Sequence, residues 1–254
     1  SLDGLTWGTH LVPAEELPEP PVRTWMGYRN AAGPAGTRNY LGIVTTVQCA
    51  AGVVRSVTER IRRELLPKYP NVEGVVAITH AYGCGVAIRA REAGIPIRAI
   101  RNIIQHPNFG GEAIVVGLGC EKLTYDMVLP PEKINAETCI TLQEQPGHAA
   151  MEQAILDLAE KKLRILNERR REELPLSELC IGMQCGGSDA FSGISANPSA
   201  GCAADMLVRG GATVLFSEIT EREGVNVLID AAGAPGIMDN AVDLISPFGR
   251  IVPV

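Results

Sequence analysis

The chain is predicted to be an α/β protein built on an open, mainly parallel sheet with helices on both faces. Six short runs are apolar along nearly their whole length, as strands buried on both faces require. Longer helical patterns fall between them, as crossover helices do. With 254 residues, 46% of them apolar, the chain can bury a large core.

In chain order, residues 1–24 are rich in Pro and Glu and read as a linker or the remnant of an upstream domain, with a start that looks cut. LGIVTTV (41–47) is the first strand and residues 50–66 the first helix. GVVAI (74–78), AIVVGL (113–118) and CITL (139–142) are the next strands. Residues 148–173 form the clearest helix, with Met151, Ile155, Leu158, Ile165 and Leu166 near one face. Its last residues, NERRREEL, read as a solvated end whose arginines suit the helix dipole. LCIGM (179–183) and TVLFS (213–217) are the last strands, flanking a helix at 199–209. The core is expected to span 25–223, followed by an atypical tail at 224–254.

Composition narrows the function. The net charge of −6, with both signs interleaved, leaves no footprint for nucleic acid or a membrane surface. No window reaches the roughly 18 apolar residues of a membrane span. The N-terminus lacks the basic then apolar order of a signal peptide. A cytoplasmic protein acting on a small molecule is expected, and a homo-oligomer is compatible with this. The seven cysteines suit free thiols or metal ligands better than a disulfide framework.

Cys49, Cys84, Cys120 and Cys185 each fall just past a predicted strand. In an open α/β sheet, the crevice outside those ends is where ligands bind. One such thiol is commonly just a buried small hydrophobe; four at one end of a sheet point to a ligand. The loop CGGSDAFSGISANP (185–198), which starts at Cys185, then lines the crevice, its glycines admitting close approach of backbone. No CxxC pair occurs, so a metal site must be assembled from distant loops. His80 and His106 also follow apolar segments and are candidate ligands or bases. Cys139, Cys180 and Cys202 read as packing residues, and His10 and His148 receive no role. GLG and CGG do not make a dinucleotide fingerprint, because the GxGxxG order is absent.

Five stretches carry a family resemblance. MGYRNAAGPAGTRNYLGIVTTVQC (26–49), ITHAYGCGVAI (78–88), HPNFGGEAIVVGLGCEKL (106–123), QCGGSDAFSGISANPSAG (184–201) and GGATVLFSEITE (210–221) resemble the sugar-acid dehydratases of the galactarate and altronate dehydratase family. LLPKYPNVEGVV (65–76) places the chain nearer the galactarate members. The resemblance implies a lyase that removes water from an aldaric or aldonic acid to give a keto-deoxy acid, with iron, in a bacterial cytoplasm. It also implies a small N-terminal domain and a long C-terminal portion that this sequence lacks, so little turnover is expected of the chain by itself. After Gly224 the text instead resembles the cofactor domain of medium-chain, zinc-type alcohol dehydrogenases.

Such a reaction needs stabilisation of an enediolate and of a departing hydroxyl, and a Lewis acid serves both. Iron is expected as a mononuclear Fe2+ or as an iron–sulfur cluster. The preferred ligands are Cys84, Cys120 and Cys185, three thiolates suiting a cluster with one open iron. The alternative is a mononuclear site using His80, His106 or Glu121. His80, Ser188 and Asp189 are the catalytic candidates, while Glu218 and Glu221 are candidate supporting carboxylates. Arg38, Arg89, Lys122 and Asn197 are candidates to bind substrate. Two other readings stand beside this one: a non-catalytic sugar-acid-binding remnant, and an NAD-dependent oxidoreductase argued from the tail alone.

Overall fold

The computed structural model describes residues 19–31, 33–84, 87–90, 93–184, 190–217, 225–230 and 245–253. They belong to two compact units, Met26–Glu172 and a second made of Ser1–Trp25 with Glu173–Val254. The chain enters the larger unit through β1 (Thr24–Gly27). There follow β2 (Tyr40–Thr45), α1 (Ala51–Glu64), β3 (Gly74–Ile78), α2 (Gly94–Ile104), β4 (Ile114–Gly117), α3 (Tyr125–Val128), β5 (Cys139–Thr141) and α4 (His148–Asn167). It leaves through β6 (Glu172–Pro175).

Strands β2 to β5 form one parallel sheet in the order β3-β2-β4-β5. Successive residues on each strand face opposite layers. Leu41, Ile43, Val75, Val116 and Ile140 pack with Val54, Val57 and Ile61 of α1 and with Ile155, Leu163 and Leu166 of α4. Val44 and Val115 point the other way, against Ile100 and Ile104 of α2 and Val128 of α3. The parallel sheet with helices on both faces is therefore present, and it explains why these strands are apolar throughout. Gly42 interrupts the first run because the Phe109 ring lies where a Cβ would be, 2.8 Å from it.

The winding of this sheet locates a crevice. From β2 the chain crosses to β3 on one side, then returns past β2 to place β4 on the other. Connections leaving β2 and β4 in opposite directions open a gap between their C-terminal ends, the switch point where open α/β sheets take ligands.

Helix α4 stops at Asn167, short of the expected 173. The arginines beyond it are not a solvated helix end. Arg169 donates to Asn39 Oδ1 at 2.8 Å and to Asn30 Oδ1 at 2.6 Å. Arg171 donates to the Glu73 carboxylate at 2.7 Å and to the Met26 carbonyl at 2.8 Å. Both guanidinium groups lie over the Tyr28 ring, 5.3 and 4.8 Å from its centre, within cation–π range. The charge run is thus a clamp on residues 26–39, and such long-range partners leave no trace in local charge pattern.

The second unit contains β7 (Cys180–Gln184), α5 (Ala190–Ile194), α6 (Ala196–Arg209) and β8 (Thr213–Ser217). β7 and β8 pair in parallel with each other, so the six predicted strands are divided between two sheets rather than laid in one. α6 starts earlier than expected and carries Pro198 in its first turn, where a missing N–H costs nothing. Cys180, on β7, and Cys202, on α6, are exposed, which corrects their expected packing role: β7 is half of a two-stranded sheet, and among the described residues only Ala204 of α6 is buried. Cys139 is half-buried against the α2 and α3 layer as expected, and burial pushes its thiol pKa up. In the tail, β9 (Val225–Asp230) pairs in parallel with β10 (Ile245–Pro253). Residues 231–244 between them, like most of the linker at 1–24, lie outside the described residues.

Candidate active site

Three loops meet at the switch point of the larger unit. After β2 comes Thr46, whose hydroxyl donates to Glu121 Oε1 at 2.5 Å. After β3 the chain folds across the end of β2, and the Gly83 carbonyl accepts from the Lys122 amide at 3.0 Å. After β4 the amides of Leu118 and Gly119 donate to the Glu121 carboxylate at 2.9 and 2.6 Å. Gly83 has φ +110, and a Cβ there would stand 2.1 Å from the Thr46 carbonyl oxygen. Only glycine permits both that backbone and that approach.

These contacts sort the predicted residues. His80 Nε2 lies 2.6 Å from the Thr45 carbonyl, and its Nδ1 accepts from the Tyr82 amide at 3.1 Å. Both ring nitrogens are therefore engaged, with the proton on Nε2, and the ring serves to hold the loop in this arrangement. Glu121 accepts on Oε1 from Thr46 of the neighbouring loop, and from the Leu118 and Gly119 amides of its own loop on Oε1 and Oε2. Cys49, Cys84 and Cys120 are exposed at this end of the sheet. Cys84 follows Gly83 and Cys120 precedes Glu121, so the two thiols stand on either side of the loop junction. Gln143, at the end of β5, directs its Nε2 at the Cys120 sulfur, 3.8 Å away.

Arg89 and Lys122 line one open cleft of about 590 Å3, together with Ile88, Thr124 and Met127. Arg38 does not join them. It precedes β2, pairs with Glu73 at 3.0 Å, and so lies at the opposite end of the sheet. His106 is at that far end too. It caps the turn before β4, its Nδ1 accepting from the Asn108 amide at 3.2 Å, and Asn108 in turn accepts from the Arg38 amide. Burial lowers the His106 pKa. Asn197 is exposed in the first turn of α6 and accepts from the Ser192 hydroxyl at 3.1 Å. Cys185, Ser188, Asp189, Glu218 and Glu221 lie outside the described residues.

Among the described residues, no three His, Cys, Asp or Glu side chains gather to hold a metal ion. Among the described residues, His80 and Glu121 are hydrogen-bonded and His106 is at the far end of the sheet, while the thiols of Cys49, Cys84 and Cys120 are exposed at the crevice. Soft thiolates suit iron in a cluster.

Thr46, Gly83, Tyr125 and Gln143 shape this site without having been singled out from the sequence. The Tyr125 hydroxyl accepts from the Gly117 amide at 3.1 Å and donates to the Ile140 carbonyl at 2.9 Å, stitching β4 to β5. Gly83 alone had a local signal, a glycine within a polar loop beside a thiol.

The Glu121 clasp has a pH signature. Burial pushes its carboxyl pKa up, but the Thr46 hydroxyl and the amides of Glu121, Gly119 and Leu118 outweigh this and hold it below the usual carboxylate value. A folded value below the unfolded one means stability present above about pH 4.3 and lost as pH falls through the folded value. Urea titrations of the parent and of Glu121→Gln between pH 7 and 3 are expected to converge in acid. A constant gap across that range would show that the carboxylate charge contributes nothing.

The parallel sheet with exposed thiols at its switch point defines an open α/β protein, a class that takes ligands at that crevice. Comparison with known families then places it. The model described as D-galactarate dehydratase/altronate hydrolase, second domain, matches residues 27–167, and that described as D-galactarate/altronate dehydratase, C-terminal, matches residues 176–252. The chain belongs to the galactarate and altronate dehydratase family. The first match nearly coincides with the larger compact unit, and the second runs through the tail.

Galactarate dehydratase (L-threo-forming) of Escherichia coli (strain K12) is 52% identical, across 88% of this chain and 45% of its own length. Altronate dehydratase of Bacillus subtilis (strain 168) is 36% identical across 89% of this chain and 45% of its own length. Altronate dehydratase of Escherichia coli (strain K12) is 31% identical across 87% and 44%. The chain thus spans less than half the length of each of these three relatives. No helix among the described residues is long and apolar enough to cross a membrane.

Proposed function

We propose that this chain is the core of a sugar-acid dehydratase, a hydro-lyase that removes water from galactarate or a related acid to give a keto-deoxy acid. One observation supports it above the others: exposed thiols and a cation-lined cleft flank the same loop junction at the switch point. The cations are suited to the carboxylate of an acidic substrate. α1, which starts just past Cys49, turns its N-terminal amides toward the same end of the sheet and favours negative charge there.

Cys84 and Cys120 are the iron ligands in this reading, with Cys185 kept as the third on the sequence argument alone. When bound, iron supplies a Lewis acid for the hydroxyl that leaves. The protein's own residues orient and exchange protons. His80 fixes its loop through Thr45 and Tyr82 rather than taking a substrate proton, which leaves Asp189, beside Ser188, as the candidate base. A cytoplasmic location belongs to the same reading, since exposed free thiols suit a reducing compartment.

Anaerobic reconstitution with ferrous iron, calorimetric titration with galactarate and assay of keto-deoxy product test the proposal. Absence of both binding and product overturns it. Binding without product is expected of the core by itself, and galactarate binding that needs no iron favours the non-catalytic sugar-acid-binding reading. For the ligands, Cys84→Ala and Cys120→Ala are each expected to lose most bound iron and its visible absorption. Cys139→Ala is expected to keep both and to lose only about 1 kcal/mol of packing stability. Equal iron content in all three variants would rule out the thiol ligands.

A further inference from the structure

We propose that Arg55 of α1, held in place by Thr79, binds a carboxylate of the acid at the crevice. This rests on the dehydratase reading above and adds to it a residue outside the loops already described. α1 begins two residues after Cys49 and carries the chain away from the crevice. The Arg55 guanidinium donates through Nη2 to the Thr79 hydroxyl at 2.7 Å. Thr79 directly follows β3, so the charged group stands at the C-terminal end of the sheet. Long side chains on a helix lean toward its N-terminus, and here that direction is the crevice. The bond joins the helix that starts after Cys49 to the loop that carries Cys84.

Its neighbours on the helix mark Arg55 out. Of the other arginines of α1, Arg60 pairs with Glu152 at 3.1 Å, Arg62 with Glu59 at 2.6 Å and Arg63 with Glu64 at 2.8 Å. Arg55, nearest the start of the helix, is bonded to no carboxylate among the described residues. Glu59 stands where an i, i+4 ion pair with Arg55 would form, but it is turned to Arg62. A hydroxyl fixes a guanidinium without neutralising it, so the charge is left for an anion. One fork of paired N–H groups also remains, and a carboxylate fits it through two parallel bonds. The Thr79 hydroxyl, having accepted from Arg55, still has its own proton to donate. Room exists beside the guanidinium. Gly52, three residues earlier on the same helix face, is exposed and has nothing within 4 Å of where a Cβ would be. The first turn of α1 contains no acidic residue to repel an anion.

The test is calorimetric titration of the iron-reconstituted chain with galactarate at low and high salt. Arg55→Met is expected to weaken binding by roughly 10- to 100-fold, as loss of a charge-assisted pair does, and to flatten its salt dependence. Arg55→Lys keeps the charge without the fork and should fall between Arg55→Met and the parent. Thr79→Val leaves the guanidinium charged but unanchored, so it is expected to lose about three- to tenfold and to keep the parent's salt dependence. Arg63→Met removes the same charge from the far end of α1 and is expected to behave as the parent. Arg55 is exposed, so its variants should keep the parent's urea midpoint. Binding by Arg55→Met equal to the parent's would overturn the assignment and leave the dehydratase reading standing. So would an equal loss in Arg63→Met, since overall charge would then be the cause. If the parent binds no galactarate, the dehydratase reading fails and the assignment with it.

Discussion

Replacing Gly83 by alanine is expected to cost about 3 kcal/mol of stability, from strained backbone and a forced shift of the loop. Acid binding should fall by roughly tenfold or more, because small misplacements of a site are expensive. The new Cβ would lie 2.1 Å from the Thr46 carbonyl oxygen, and φ is +110. The obstacle is main chain, which no rotamer change removes. Either the Gly83 loop lifts from the end of β2, breaking its bond to Lys122, or the Thr46 loop retreats and releases Glu121. Gly33→Ala separates the two costs, since Gly33 has φ +78 but open space around it. It should lose only the conformational share, about 1 kcal/mol. Urea midpoints and galactarate titration read both effects. If Gly83→Ala resembled Gly33→Ala in stability and the parent in binding, the close approach of these loops would be irrelevant to the site.

The second large effect is expected at Asn39. Its side chain is fully buried and donates to the carbonyls of Asn71 and Leu166 at 2.8 and 2.9 Å, while its oxygen accepts from Arg169 at 2.8 Å. Leucine is of similar size but satisfies none of these. Two carbonyls and a guanidinium then lose a partner, and buried unsatisfied groups cost about 1–3 kcal/mol each. Asn39→Leu should therefore destabilise by about 3 kcal/mol or more. Asn39→Asp should also fail, because a carboxylate cannot donate to the two carbonyls. Both variants would lower the thermal midpoint well below that of Arg63→Met. A loss under about 1 kcal/mol in Asn39→Leu, read by denaturation, would mean that other donors replace the amide.

These two residues also mark what the sequence discloses. Strand runs such as LGIVTTV are legible because burial on both faces removes polar residues from them. The placement of Cys49, Cys84 and Cys120 at one end follows from that alone, since parallel strands share a direction. The division into two sheets is not legible, because LCIGM and TVLFS have the same pattern whether they extend the main sheet or pair with each other. His106 follows an apolar stretch as His80 does, but its stretch is the end of α2, which delivers it to the opposite end of the sheet. The Thr46–Glu121 and Asn39–Leu166 contacts join residues far apart in sequence, and nothing local announces either partner.

The loop junction also constrains how such a site can be altered. The β2, β3 and β4 loops share hydrogen bonds through Thr46–Glu121 and Gly83–Lys122, and Gly83 fits only against the Thr46 backbone. Residues in one such network are coupled rather than additive. A chimaera that imports one loop from an altronate-acting relative would carry mismatched partners at two seams, and its defect would be misread as evidence that the donor loop is inactive. Exchange of specificity should require residues 46–49, 79–90 and 118–124 to travel together as a cassette, with the helices behind them left in place.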